Sequence, residues 1–151
     1  MSIKIKLEGF EELYERLQRA GKNADAAAEK CINDSAAVMQ TEMKAQMQSD
    51  QVDPALIARM PPPTIEQTGN RYTARVGYKK GTYNPAAPSD GYKVVFLNYG
   101  TPKGRQTKSG ANRGELKARG FIKRTKTKAK AKIKKLQEDT KNEILKGLPK
   151  E

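Results

Sequence analysis

The sequence predicts an α+β fold, in which a small antiparallel sheet is packed by N-terminal helices and by a long basic C-terminal helix. Three observations predict it: residues 2–7 alternate apolar and charged side chains, residues 64–78 read as a hairpin, and residues 25–49 and 122–146 carry apolar residues at helical spacing. At 151 residues the chain has the length of one domain. We therefore expect a single domain over residues 1–151.

The N-terminal third predicts one strand and two helices. Strand 2–7 has Ile3, Ile5 and Leu7 facing inward. A helix over 10–20 follows, because its apolar residues recur at i, i+3, i+4 and i+7. A second helix over 25–49 begins at Asn23 or Asp25, either of which can cap it. Its inward stripe is built mainly from small residues and methionines: Ala28, Cys31, Ile32, Ser35, Val38, Met39 and Met43.

The middle of the chain predicts a linker, a hairpin and a last strand. Prolines at 54 and 61–63 interrupt regular structure, so we expect a linker there. The hairpin 64–78 turns at Gly69, and its inward face consists of Tyr72, Ala74, Val76 and Tyr78. The apolar run 92–99 predicts a strand, between exposed loops over about 79–91 and 102–119 that are rich in Gly, Pro and charge.

The excess of positive charge lies entirely in the C-terminal half. Residues 1–70 hold 8 Lys/Arg and 11 Asp/Glu, whereas residues 71–151 hold 22 and 6. The predicted helix 122–146 has one apolar stripe, so most of its lysines point away from the core. They can form a solvated face, contact phosphates, or contact an acidic protein. The candidate contact residues are Lys117, Arg119, Lys123, Arg124, Lys126, Lys128, Lys130 and Lys132.

Composition argues against catalysis. The chain has no His and a single Cys, so His-based nucleophile pairs and zinc ligand sets are excluded. Asp90 followed by Glu115-Leu-Lys117 matches the order of acidic and basic residues in metal-dependent nucleases, but it lies in a predicted loop. We expect no enzyme activity, cofactor or metal, a structural role for Cys31 in the core, no membrane span, and a cytoplasmic protein.

The order of elements resembles that of the minor tail component, or head-tail joining and tail-completion, proteins of long-tailed double-stranded DNA bacteriophages. In that family an opening Gly-Phe/Leu-x-Glu-Leu helix precedes a long Ala-rich helix, a hairpin, an aromatic strand ending in an acidic-aromatic-Gly-Thr signature, a variable loop and a Phe-centred entry to a C-terminal helix. The matching segments are Gly9-Phe-Glu-Glu-Leu13, Ala24 to Met47, Thr64 to Tyr78, Val94-Val-Phe-Leu-Asn-Tyr-Gly-Thr101 and Gly120-Phe-Ile122.

The resemblance implies a structural virion protein of a phage or prophage. Such a protein assembles in the host cytoplasm into a ring of six copies, which joins portal and tail tube where double-stranded DNA passes. It implies subunit-contact or hinge roles for Tyr99, Gly100, Thr101 and Phe121. The chain departs from the family at Asn98, which stands where an acidic residue is usual, and in the run Pro61-Pro-Pro63. The alternative is a small basic nucleic-acid-binding protein that uses the C-terminal helix.

Overall fold

The computed structural model describes residues 1–7, 9–81, 84, 86–106 and 108–148. The α+β class is confirmed. The elements in chain order are β1 (Ser2–Lys6), α1 (Glu11–Arg19), α2 (Ala24–Ser49), α3 (Pro54–Ala58), β2 (Thr64–Thr68), β3 (Arg71–Gly77), α4 (Asp90–Tyr99) and α5 (Phe121–Lys146).

The sheet has three antiparallel strands in the order β1-β3-β2. Its register pairs Ile3 with Val76, and Ile65 with Ala74, so apolar residues of all three strands share one face. The predicted hairpin and its buried face are confirmed. Strands β1 and β2 are both edge strands, and the polar face of the sheet is open to solvent.

The core lies between the sheet and two long antiparallel helices. Helix α2 crosses the apolar face of the sheet, and its small side chains let α5 pack closely along it. Cys31 and Ile32 of α2 are fully buried, as are Thr125 and Ala129 of α5. The predicted inward stripes of both helices, and the core role of Cys31, are confirmed.

The prediction of a strand over 92–99 is wrong, because this segment is helix α4. Gly91, Val94 and Asn98 are its buried residues, at the i, i+3, i+7 spacing of one helix face. The Ser89 side chain caps the first turn, and Gly100 ends the helix with a φ of 74°. The uninterrupted apolar run 94–97 fits neither a helical nor a strand period, so its β-branched and aromatic residues favoured the wrong element.

The expected linker after α2 contains a second unpredicted element, the short helix α3. The Asp53 carboxylate accepts a hydrogen bond from the Ala55 N–H at 2.9 Å, and Pro54 occupies the first turn, where a missing N–H costs nothing. Leu56 and Ile57 are buried as a result. Pro54 therefore begins a helix, whereas the prolines at 61–63 follow its end.

Candidate functional site

Over residues 121–135, helix α5 carries its basic residues in two rows on opposite flanks of its buried stripe. The β1-side row consists of Lys123, Lys126, Lys130 and Lys134, and the α2-side row consists of Arg124, Lys128, Lys132 and Lys135. The buried residues Ile122, Thr125, Ala129 and Ile133 lie between the rows. One row lies beside acidic residues of α2 and its C-cap and the other beside lysines of β1, so the two rows differ in their capacity to bind an anionic partner.

The α2-side row is partly neutralised within the subunit. The Arg124 guanidinium pairs with the Asp50 carboxylate, and Lys132 Nζ lies 3.1 Å from a Glu42 carboxylate oxygen. The hydrogen bond from Lys132 lowers the pKa of Glu42 below its ordinary value, and the charge of Lys128 adds to this effect. These ion pairs stabilise the packing of α5 on α2.

Arg119 is also engaged within the subunit, because its guanidinium donates to the backbone carbonyl of Asp50 at 2.7 Å. The Arg124 guanidinium also donates to the Arg119 carbonyl. Three of the eight predicted contact residues, Arg119, Arg124 and Lys132, therefore have structural partners in the chain. Lys117, Lys123, Lys126, Lys128 and Lys130 are exposed, and no salt bridge joins any of them to another described residue.

The β1-side row faces a groove between α5 and β1. The groove has a volume of about 330 Å³ and is flanked on its other side by Lys4 and Lys6. The described residues of its lining include five lysines and no acidic residue: Ile3, Lys4, Ile5, Lys6, Met39, Lys126, Lys130, Ile133, Lys134 and Gln137. We call it the β1–α5 groove. Sequence reasoning missed Lys4 and Lys6 as candidates.

The backbone edge of β1 that is not paired with β3 faces α5. The Met1 carbonyl accepts from the Tyr78 N–H at 2.8 Å, and hydrogen-bonded pairs alternate along an antiparallel ladder. The backbone groups of Lys4 and Lys6 therefore point away from β3. Gln137 Nε2 donates to the Lys6 carbonyl at 3.3 Å, and this contact anchors α5 beside the edge of the sheet.

The predicted hinge residues lie at the C-terminal end of α4. Thr101 N–H donates to the Leu116 carbonyl at 2.8 Å, and the Leu116 N–H donates to Thr101 Oγ1 at 2.9 Å. The loop 102–119 thus returns to the point where it leaves α4. Tyr99 is 63% exposed and free for contacts with another protein, whereas Phe121 is fully buried at the start of α5 and belongs to the core.

Asn98 is buried and caps α5. Its Oδ1 accepts from the Ile122 N–H at 3.0 Å, and its backbone carbonyl accepts from the Gly120 N–H at 3.0 Å. The N-cap residue of α5, Gly120, has no side chain to do this. The residue that departs from the phage family pattern therefore joins two helices of one subunit, and its side chain is 4% exposed.

Helix α4 also presents apolar side chains to two grooves. One groove, of about 790 Å³, lies along the open face of the sheet and includes Pro61, Val95 and Phe96 in its lining. The other, of about 400 Å³, lies on the opposite flank of α4 and includes Leu97 and Leu116. Together with Tyr99, these side chains form what we call the α4 surface.

The two acidic residues of the nuclease-like pattern, Asp90 and Glu115, are each paired with a basic side chain. Arg59 binds the Asp90 carboxylate through two hydrogen bonds of 2.9 and 3.1 Å, which lower the pKa of Asp90. Glu115 and Lys117 lie outside any helix or strand. Among the described residues, no three His, Cys, Asp or Glu side chains are grouped as a metal site. Within the same residues, no helix is long and apolar enough to cross a bilayer.

Comparison with models of known protein families, with curated proteins and with solved structures returned no match to this chain.

Proposed function

We propose that this protein is a structural virion component that assembles into a ring at the joint between portal and tail tube of a phage or prophage. In this role it acts in tail completion and head-tail connection. The motifs from Gly9-Phe-Glu-Glu-Leu13 to Gly120-Phe-Ile122 support the family, although the aromatic segment before Gly100 is a helix in this chain. The observation that carries the proposal is the α4 surface.

The α4 surface supports docking of another protein. Val95, Phe96 and Leu97 are half-buried, and Tyr99 is exposed beside them, so an isolated subunit leaves adjoining apolar side chains in water. Apolar surface of this kind, rimmed by charged residues of both signs, is typical of protein contacts. A neighbour that seats a different one of its surfaces on these grooves makes a heterologous contact, which closes into a ring when its rotation permits.

The loop 102–119 extends from the same surface. The Arg105 guanidinium lies 5.7 Å from the centre of the Phe96 ring, and Lys103 lies 3.8 Å from the Glu115 carboxylate. A subunit docked on α4 therefore also contacts this loop. We expect trypsin to cleave the free subunit at Lys103, Arg105, Lys108 or Arg113, and cleavage to slow after assembly. Equal cleavage rates in both states would show that the loop is a passive linker.

Light scattering coupled to size exclusion, with negative-stain imaging of the same fractions, tests the ring. We expect closed rings for the wild type and a shift to monomer for Tyr99→Glu, because a carboxylate replaces an aromatic contact. Gln18→Glu, on the exposed face of α1, is the matched control and should assemble normally. Monomers at high concentration, even with portal and tail-tube proteins present, would refute the proposal. Rings formed by Tyr99→Glu would exclude the α4 surface as the contact.

The second candidate function is that of a basic nucleic-acid-binding protein. The observation that favours it is the β1-side row of α5, whose exposed lysines face two further lysines of β1. It predicts salt-dependent DNA binding by the protein whether or not rings form. The two functions are separable by experiment.

A further inference from the structure

We propose that the β1–α5 groove binds the phosphate backbone of double-stranded DNA. Lys4 and Lys6 would contact phosphates from one rim, and Lys126, Lys130 and Lys134 from the other. The inference rests on the second candidate function, nucleic-acid binding, and assigns its site. It adds two residues of β1 that lie more than a hundred positions away from the lysine-rich helix.

The charges of the groove favour a polyanion. Among the described residues, five lysines line it and no carboxylate does. Lys134 has one distant partner, Glu138 at 3.9 Å, and both side chains are largely exposed. Like charges that line one groove repel one another and gather counterions. Phosphates that replace these counterions release them to solution, and this release drives binding.

The dimensions of the groove fit a nucleic-acid strand. Lys126 and Lys134, at the two ends of the α5 rim of the groove, are about 12 Å apart along the helix axis, at 1.5 Å per residue. One strand of B-DNA places roughly four phosphates in that length. Lys4 and Lys6 project from the same face of β1, about 7 Å apart along the strand. Two rows of flexible cations can thus follow a backbone from both sides.

The residue types indicate contact with phosphate and not with bases. The described lining has no Arg for bidentate contact with guanine and no aromatic residue on which an unpaired base stacks. Its Gln137, of a type that can read adenine, is buried and donates to the Lys6 carbonyl instead. Lysine acts as a point charge, which is sufficient for a phosphate. Binding should therefore be independent of sequence and should not require single-stranded DNA.

Two other occupants fit less well. A strand added to the edge of β1 would need the Lys6 carbonyl, which Gln137 already contacts, and lysines on an edge strand disfavour such pairing. The acidic N-terminal half of a second copy could contact the groove. However, contacts between identical subunits leave the formal charge of +13 on each one uncompensated, whereas DNA neutralises it.

Fluorescence anisotropy of a labelled 30-base-pair duplex tests the site. If each of the five lysines neutralises one phosphate, the wild-type affinity should fall about 500-fold between 50 and 200 mM salt, against about 40-fold for Lys4→Gln/Lys6→Gln. Lys126→Gln/Lys130→Gln should show the same reduced dependence. Lys22→Gln/Lys30→Gln changes the net charge equally on a different surface, and should behave as wild type. Circular dichroism checks that each variant is folded.

Three results would overturn the inference. A wild-type salt dependence in both groove variants would show that DNA binds elsewhere, and nucleic-acid binding itself would stand. No DNA binding at 50 mM salt would exclude both the groove and the second candidate function. If the groove variants lose self-association in light scattering while their DNA binding is unchanged, the groove is a contact between copies.

Discussion

Replacement of Gly100 by Ala should destabilise this protein strongly, because the residue is constrained in two ways. Its φ of 74° and ψ of −171° lie in a region that almost no residue except glycine adopts. A Cβ at this position would also lie 2.4 Å from the Leu116 carbonyl oxygen and 2.7 Å from the Ala118 nitrogen. Both neighbours are backbone atoms, so a change of side-chain rotamer cannot relieve the overlap.

The two constraints set the expected magnitude. The backbone conformation costs about 1–3 kcal/mol for a residue with a side chain. Moving the segment 116–118 away would also break the two hydrogen bonds between Thr101 and Leu116, each contributing about 1 kcal/mol. We therefore expect the free energy of unfolding to fall by roughly 3–5 kcal/mol, a large part of the 5–15 kcal/mol typical of a domain.

Gly104→Ala is the matched control. Gly104 has the same φ of 74°, but a Cβ there would meet no atom of the described residues within 4 Å. This variant should lose only about 1–2 kcal/mol. Urea unfolding followed by far-UV circular dichroism measures both free energies, and in a thermal scan Gly100→Ala should melt about 6–20 °C below the wild type. If both variants are destabilised equally, the contact between segment 116–118 and the end of α4 does not contribute to stability.

Three further predictions concern side chains of the core and its margin. Asn98→Ala should lower the free energy of unfolding in urea by about 1–3 kcal/mol, because the buried Ile122 N–H loses its acceptor. Asn98→Ser should recover little of this loss, because the serine side chain is too short for its oxygen to reach the Ile122 N–H. Hydrogen bonds from Tyr72, then Tyr14, lower the pKa of Asp25, so the folded state binds fewer protons than the unfolded state. The resulting stability should be complete above about pH 5 and be lost as the pH falls through the lowered pKa, and Asp25→Asn should flatten that part of a plot of Tm against pH. Burial raises the pKa of the Cys31 thiol, so a thiol reagent should react far more slowly with native protein than with protein in urea; equal rates would place Cys31 outside the core.

Elements with a clear period could be predicted from the sequence. Alternation over residues 2–7 and 71–78 follows from the two faces of a strand, and the stripe of α5 follows from the 3.6-residue turn. The segment 94–97 has no period, and its choice between strand and helix depended on what surrounds it: the Ser89 cap, the turn at Gly100 and the core under Val94.

The candidate sites, too, could be predicted only in part from the sequence. The distribution of Lys and Arg along the sequence predicted an excess of positive charge in the C-terminal half. The spacing of the lysines in α5 predicted that most of them point away from the core. Which lysines are neutralised depended on the antiparallel packing of α5 on α2, which brings Glu42 to Lys132 and Asp50 to Arg124. Lys4 lines the same groove as Lys126 and Lys130, although it lies more than 120 positions from them in the sequence. A local pattern encodes which side of an element is buried, whereas the partner across a groove depends on how separate elements pack, and that was decided by the tertiary structure.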